Sequence, residues 1–237
     1  MGGSPLFMMG VSIDQSKVVV VTQANGGSGS NQMDLFSTYN LASSSGSPVP
    51  LVDAPGSFAI GPVTGRYYLG LPKEFDVYDP SSLKPVSGSP VPIGTAYVIG
   101  ISNDETLLYT LSLNTVGPSF VLSAFDPSTL KPKTQLALGI GFNVYTEKYQ
   151  GEPYAALGVS PDNALLFCIG YVVNKGYSQF SVYDAQTLQE LPWSPIQSGS
   201  FVPVDFVLSP DGSRLYVLAS LSTDGTISLY AVDPIFV

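Results

Sequence analysis

Ser45-Gly46-Ser47-Pro48-Val49-Pro50 and Ser87-Gly88-Ser89-Pro90-Val91-Pro92 are one hexapeptide written twice, 42 residues apart. A period of this size marks an architecture in which each repeat is one small supersecondary unit. Upstream of the two copies lie matching segments, Asp34-Leu35-Phe36-Ser37-Thr38-Tyr39-Asn40 and Phe75-Asp76-Val77-Tyr78-Asp79-Pro80. The segment recurs as Ser123-Ala124-Phe125-Asp126-Pro127-Ser128-Thr129-Leu130-Lys131 and as Ser181-Val182-Tyr183-Asp184-Ala185-Gln186-Thr187-Leu188. It closes the chain as Leu229-Tyr230-Ala231-Val232-Asp233-Pro234.

A second motif opens each unit. It reads Val11-Ser12-Ile13-Asp14, Ile60-Gly61-Pro62-Val63, Ile101-Ser102-Asn103-Asp104, Val159-Ser160-Pro161-Asp162 and Leu208-Ser209-Pro210-Asp211-Gly212. The Ser or Gly anchors at 12, 61, 102, 160 and 209 are 49, 41, 58 and 49 residues apart, which gives five units with variable loops. Each unit parses into four antiparallel strands, a to d. Strand a enters the Ser-Pro-Asp-Gly turn, where Pro fixes φ and Gly supplies a positive one. Strand b is an apolar run, strand c ends in Tyr-Asp-Pro, and a tight polar turn leads to strand d. So small a sheet buries little alone, so the units are expected to pack side by side around an axis.

These Ser-Pro-Asp-Gly, Leu-Tyr-Val, Tyr-Asp and Gly-Ser-Pro stretches resemble the repeats of the lactonase-like and YVTN β-propellers over nearly the whole chain. The resemblance implies an all-β propeller, and the repeat count gives about five four-stranded blades in a single domain. The approximate units are 6–52, 53–94, 95–139, 154–200 and 201–237, with a long loop at 139–153. Propellers of that family typically have seven blades, so the count departs from it. The last unit stops after strand c, and three readings follow: a five-bladed ring with one three-stranded blade, a piece of a larger ring, or a blade completed by a partner. An unpaired strand edge invites strand addition from another chain.

Composition agrees with an all-β chain. Among 237 residues there are 24 Gly, 20 Pro and 14 Tyr, with only 11% charged residues, a mix rich in strand and turn formers. The net charge of −9 and nine basic residues leave no Lys/Arg cluster for nucleic acid or an anionic membrane surface. No apolar run approaches the length of a membrane span. Cys168 is the one cysteine and reads as a small buried hydrophobe. No signal-peptide pattern opens the sequence. Localisation stays open, with an extracellular or cell-surface setting favoured.

In a propeller the a–b and c–d turns share one face, and the b–c and d–a connections share the other. The second set is variable here, and variable loops on a rigid scaffold are where binding usually lives. Its longest member, 139–153, supplies the candidate binding residues Phe142, Tyr145, Glu147 and Tyr149, with Tyr154 beside it. Aromatics with a few polar groups suit a partner protein or a sugar ring; packing of these rings on neighbouring blades is the competing reading. The Gly/Ser stretch at 25–30 reads as a flexible loop, and Trp193 as packing between blades. Histidine is absent, so Ser-His-Asp and Cys-His catalysis are impossible and no metal site or cofactor is expected. The aspartates fall in turns: Asp14, Asp104, Asp162 and Asp211 after strand a, Asp79, Asp126, Asp184 and Asp233 after strand c. The sequence therefore points to a non-catalytic module that binds a protein or assembles with copies of itself. The alternatives are a lactonase-like or carbohydrate-active enzyme with convergent channel-mouth carboxylates, and a glycan-binding lectin.

Overall fold

The computed structural model describes residues 6–23, 31–113, 120–138, 142–143, 156–172, 177–197, 201–221 and 227–232, and its regular elements are all β-strands. Blade 1 is β1 (Leu6–Val11), β2 (Lys17–Gln23), β3 (Gln32–Ser37) and β4 (Val49–Pro50). Blade 2 is β5 (Ser57–Ile60), β6 (Tyr67–Gly70), β7 (Glu74–Tyr78) and β8 (Val91–Pro92). Blade 3 is β9 (Thr95–Ile101), β10 (Leu108–Leu113), β11 (Phe120–Phe125) and β12 (Pro132–Ala137). Blade 4 contains β14 (Ala156–Val159), β15 (Leu165–Val172), β16 (Tyr177–Asp184) and β17 (Ile196–Gln197), with β13 (Phe142–Asn143) also paired to β15. Blade 5 has three strands among the described residues, β18 (Phe201–Leu208), β19 (Leu215–Leu221) and β20 (Ile227–Val232). The chain is a five-bladed β-propeller.

The segment 139–153, read from sequence as one loop, leaves two residues in the sheet. Asn143 faces Tyr171 and Ala156 faces Ile169, so β13 and β14 lie end to end along β15. The break falls just ahead of Ala156, five residues before the Ser160 anchor. In blades 3 and 5 the register slips at the same place, skipping Tyr97 and Val204. A bulge already carries a residue out of the ladder, so an insertion there interrupts the least pairing.

The anchors explain themselves in hydrogen bonds. The hydroxyls of Ser12, Ser102, Ser160 and Ser209 accept the N–H of Lys17, Leu107, Leu165 and Arg214 at 2.9–3.0 Å. Each donates in turn to Asp14, Asp104, Asp162 or Asp211 at 2.5–2.7 Å. The residue three past the anchor takes positive φ in these four turns, and only Gly212 is glycine; the others are Gln15, Glu105 and Asn163. After strand c, Asp79, Asp126 and Asp184 accept the N–H groups two and three residues on. Leu83, Leu130 and Leu188 close that turn, each also at positive φ. The serines of three further Ser-Pro pairs complete strand c, because Ser47, Ser89 and Ser194 accept the N–H of Leu35, Val77 and Val182 at 2.9 Å.

Blade 2 has Gly61 where the other units have serine, and a carboxylate from the next blade takes over. Glu105 accepts from the N–H of Val63 (2.9 Å) and Thr64 (2.7 Å), from the Tyr68 hydroxyl (2.8 Å), and from the Thr64 hydroxyl. A Cβ at residue 61 would lie 2.5 Å from that carboxylate, so its approach requires glycine. Burial opposes the charge on Glu105, but the donations from Thr64, Tyr68 and Val63 outweigh it and hold the carboxyl below its ordinary range. Because it ionises more readily folded than unfolded, its stabilisation is complete above the unfolded value of 4.5 and fades as pH falls through the lower folded one. Glu105→Gln is predicted to lower stability at neutral pH by about 1–3 kcal/mol and to flatten its loss on acidification. Urea midpoints across the acid range check this; an unchanged midpoint at neutral pH would contradict it.

Candidate functional site

Strand pairing assigns each blade two faces. The residues one and three before the anchor, with their partners on strands b and c, look toward the preceding blade. The residue two before the anchor looks toward the following one. In blade 3, Ile101 pairs across to Leu108 and Phe125 on the first face, and Gly100 to Tyr109 and Ala124 on the second. Four apolar clusters follow, one at each junction of blades 1–2, 2–3, 3–4 and 4–5. The aromatic of the Tyr-Asp motif belongs to these junctions, since Tyr78, Phe125 and Tyr183 are each buried against the blade before their own. So do the positive-φ leucines: Leu83 reaches Gly46 of blade 1, and Leu130 reaches Gly88 of blade 2.

Among the described residues no such cluster joins blade 5 to blade 1. Both faces that would form it stand open. On blade 1, Met9 (72% exposed) and Val11 lie in one layer with Val18, Val20 and Phe36. Leu41 has the turn geometry of Leu83, Leu130 and Leu188, which are buried, yet is 70% exposed. On blade 5, Val207 (63%) and Leu229 (69%) occupy the face that Gly158 and Phe180 bury in blade 4. Of the ten exposed large hydrophobics among the described residues, five (Met9, Val11, Leu41, Val207 and Leu229) lie on these two faces. Exposed apolar surface gathered in patches, unlike scattered single residues, marks interaction surfaces.

The carboxylates behave otherwise. A cleft of about 430 Å³ holds Asp14, and one of about 340 Å³ holds Asp162 and Asp211; both sit between neighbouring a–b turns. Hydrogen bonds from the serines beside them hold Asp14 and Asp211 at about 2, and donations from Ser160 and Ala164 lower Asp162. Each is an ionised brace for its own turn, poorly suited to general acid work. The raised carboxyls lie elsewhere, in strand β7. Burial raises Asp76, which accepts from Tyr78 Oη at 3.1 Å, and burial with the nearby charge of Asp76 raises Glu74. No group of three or more His, Cys, Asp or Glu placed to hold a metal occurs among the described residues. Cys168 is buried in the junction of blades 3 and 4, and burial pushes its thiol up. Trp193 is partly exposed beside Ser194 on the outer edge of blade 4.

Of the candidate binding residues, Phe142 is placed by its backbone in β13, at the rim of blade 4 opposite Val172. Tyr145, Glu147, Tyr149 and Tyr154 lie outside the described residues. The sequence reading passed over Met9, Leu41, Val207 and Leu229. A signal for the open face was present two residues before each anchor, where Gly10, Ala59, Gly100 and Gly158 are followed by Val207.

No protein-family model matches the chain, and no curated protein matches it. Among solved structures its fold is similar to that of hydrazine synthase from Kuenenia stuttgartiensis, with a TM-score of 0.74 at 14% identity. The match covers 95% of this chain and 62% of that one, so the chain spans less than two thirds of that protein's length. At such identity the likeness concerns the fold alone.

A packed junction and an open face must respond differently to bulk. A Cβ at Gly158 would lie 2.7 Å from the Phe206 ring of the next blade. Gly158→Val is predicted to destabilise by about 1–3 kcal/mol through overpacking. At the matching place in blade 5, Val207→Ala is predicted to change the stability of dilute protein by less than about 1 kcal/mol. Equal losses, read by denaturation at low concentration, would mean that Val207 is packed too.

Proposed function

We propose that this chain is a non-catalytic protein-binding or self-assembling module on a β-propeller scaffold, working through the exposed faces of its end blades. The observation that carries this reading is positional. The residues on those faces repeat, in register, side chains that are buried in, or packed against, the apolar clusters of the four internal junctions. Burying apolar surface of this kind is the main driving force of association. The turn aspartates support it from the other side, since they are committed to their own backbone. The repeat motifs carry the finer family reading, a lactonase-like or YVTN-type propeller, and that reading concerns architecture and not activity.

The net charge of −9 sets copies against each other at low ionic strength, and salt screens this repulsion. Light scattering on a sizing column is predicted to give a mass above the 25.0 kDa of one chain, rising with concentration and with salt. The apolar dye anilinonaphthalene sulfonate is predicted to bind dilute protein and to bind it less after Met9→Lys with Leu229→Lys. A strict monomer with no dye binding would contradict the proposal.

A further inference from the structure

The two open faces are the two halves of one junction. Blade 5 displays the face that looks forward in every other blade, and blade 1 displays the face that looks back. We propose that they dock on each other between molecules, so that the forward face of blade 5 receives the backward face of blade 1 of a second copy, head to tail. This rests on the reading of the chain as an assembly module, and it names the partner and the contact.

The contact continues an interface already formed four times within the chain. At three internal junctions the residue two before one anchor lies under the residue three before the next. Gly10 is covered by Phe58 and Ile60, Gly100 by Leu157, and Gly158 by Phe206. The pair that would meet between copies is Val207 with Met9, and its sizes are reversed. Where blades 1 to 4 have Gly or Ala, blade 5 has the larger Val207. Where blades 2 to 5 have Phe58, Ile99, Leu157 and Phe206, blade 1 has Met9. An unbranched methionine adapts to the extra volume in a way a ring or a branched side chain does not.

Closure of one chain upon itself would use the same two faces. In the structure the four internal junctions are fully packed while Met9 and Val207 both remain exposed. A contact between copies covers both faces and leaves the four internal junctions as they are. A contact between unlike faces leaves one face free at each end of a dimer, so it propagates.

The internal geometry supplies the test. A Cβ at Gly100 would lie 3.1 Å from the Cβ of Leu157, close to the roughly 3.5–4.5 Å that a disulfide spans. Val207 and Met9 hold the same two positions relative to their anchors. Met9→Cys and Val207→Cys proteins, mixed and mildly oxidised, are expected to give a cross-linked dimer of twice the chain mass on a non-reducing gel. Neither variant alone should give more than a small fraction of it, and Cys168 is fully buried. The double variant is expected to give a ladder. A double variant that instead cross-links within one molecule would overturn the proposal in favour of ring closure. Concentration-dependent mass without any link between 9 and 207 would overturn the head-to-tail contact while leaving self-assembly standing. A strict monomer with neither cross-link nor dye binding would overturn both.

Discussion

A propeller blade is a small sheet with an apolar layer on each side, and it can bury neither by itself. Every blade therefore depends on its neighbours, as units in repeat proteins do. Here the dependence is met four times, by four clusters between consecutive blades. The small residue two before each of the first four anchors lets the next inner strand approach. The bulky residues one and three before the next anchor fill the space, and the aromatic at the end of strand c with the leucine of the following turn seals the outer part. Among the described residues four such contacts join five blades and leave two faces over, and the functional reading follows from them.

Local chemistry holds the blades in shape so that those layers can meet. Serine and aspartate brace one set of turns, and aspartate with a positive-φ leucine braces the other. Glu105 shows the two levels joined in one residue, since it lies in a turn of blade 3 and completes the turn of blade 2 that lacks its serine. The acidity of the chain thus has a structural use. Charges that look like candidate catalysts along the sequence are engaged with nearby N–H and O–H groups, which favour their ionised form.

Much of this was legible in the sequence, because the repeat writes its hydrogen bonds as recurring residue types. The five anchors and the aspartates of the described turns could be read from Ser12 to Asp211. The role of the aromatic before Asp79, Asp126 and Asp184 could not, because nothing local says which blade a side chain faces. Glu105 escaped notice for the same reason, since its partners lie some forty residues away in sequence. Leu41 looks like Leu83 in sequence, and its exposure depends on whether another blade stands before it. The strand within the long loop went unread because a two-residue strand such as Phe142–Asn143 leaves no periodicity to detect. Val207 was the one visible irregularity at the ends, a large residue in a column of glycine and alanine.

Four methionines give the most direct test of the open faces, since Met9 and Met33 belong to opposite layers of the same blade. Met9 lies on the free face, and Met33 is fully buried against blade 2. Peroxide converts accessible methionine to its sulfoxide, and peptide mass spectrometry reads each site separately. In dilute protein Met9 should oxidise many times faster than Met33, and the difference should shrink as concentration rises and copies cover the face. Equal protection of Met9 and Met33 at every concentration would mean that blade 1 has a neighbour within its own molecule, and the account of an open propeller would be wrong.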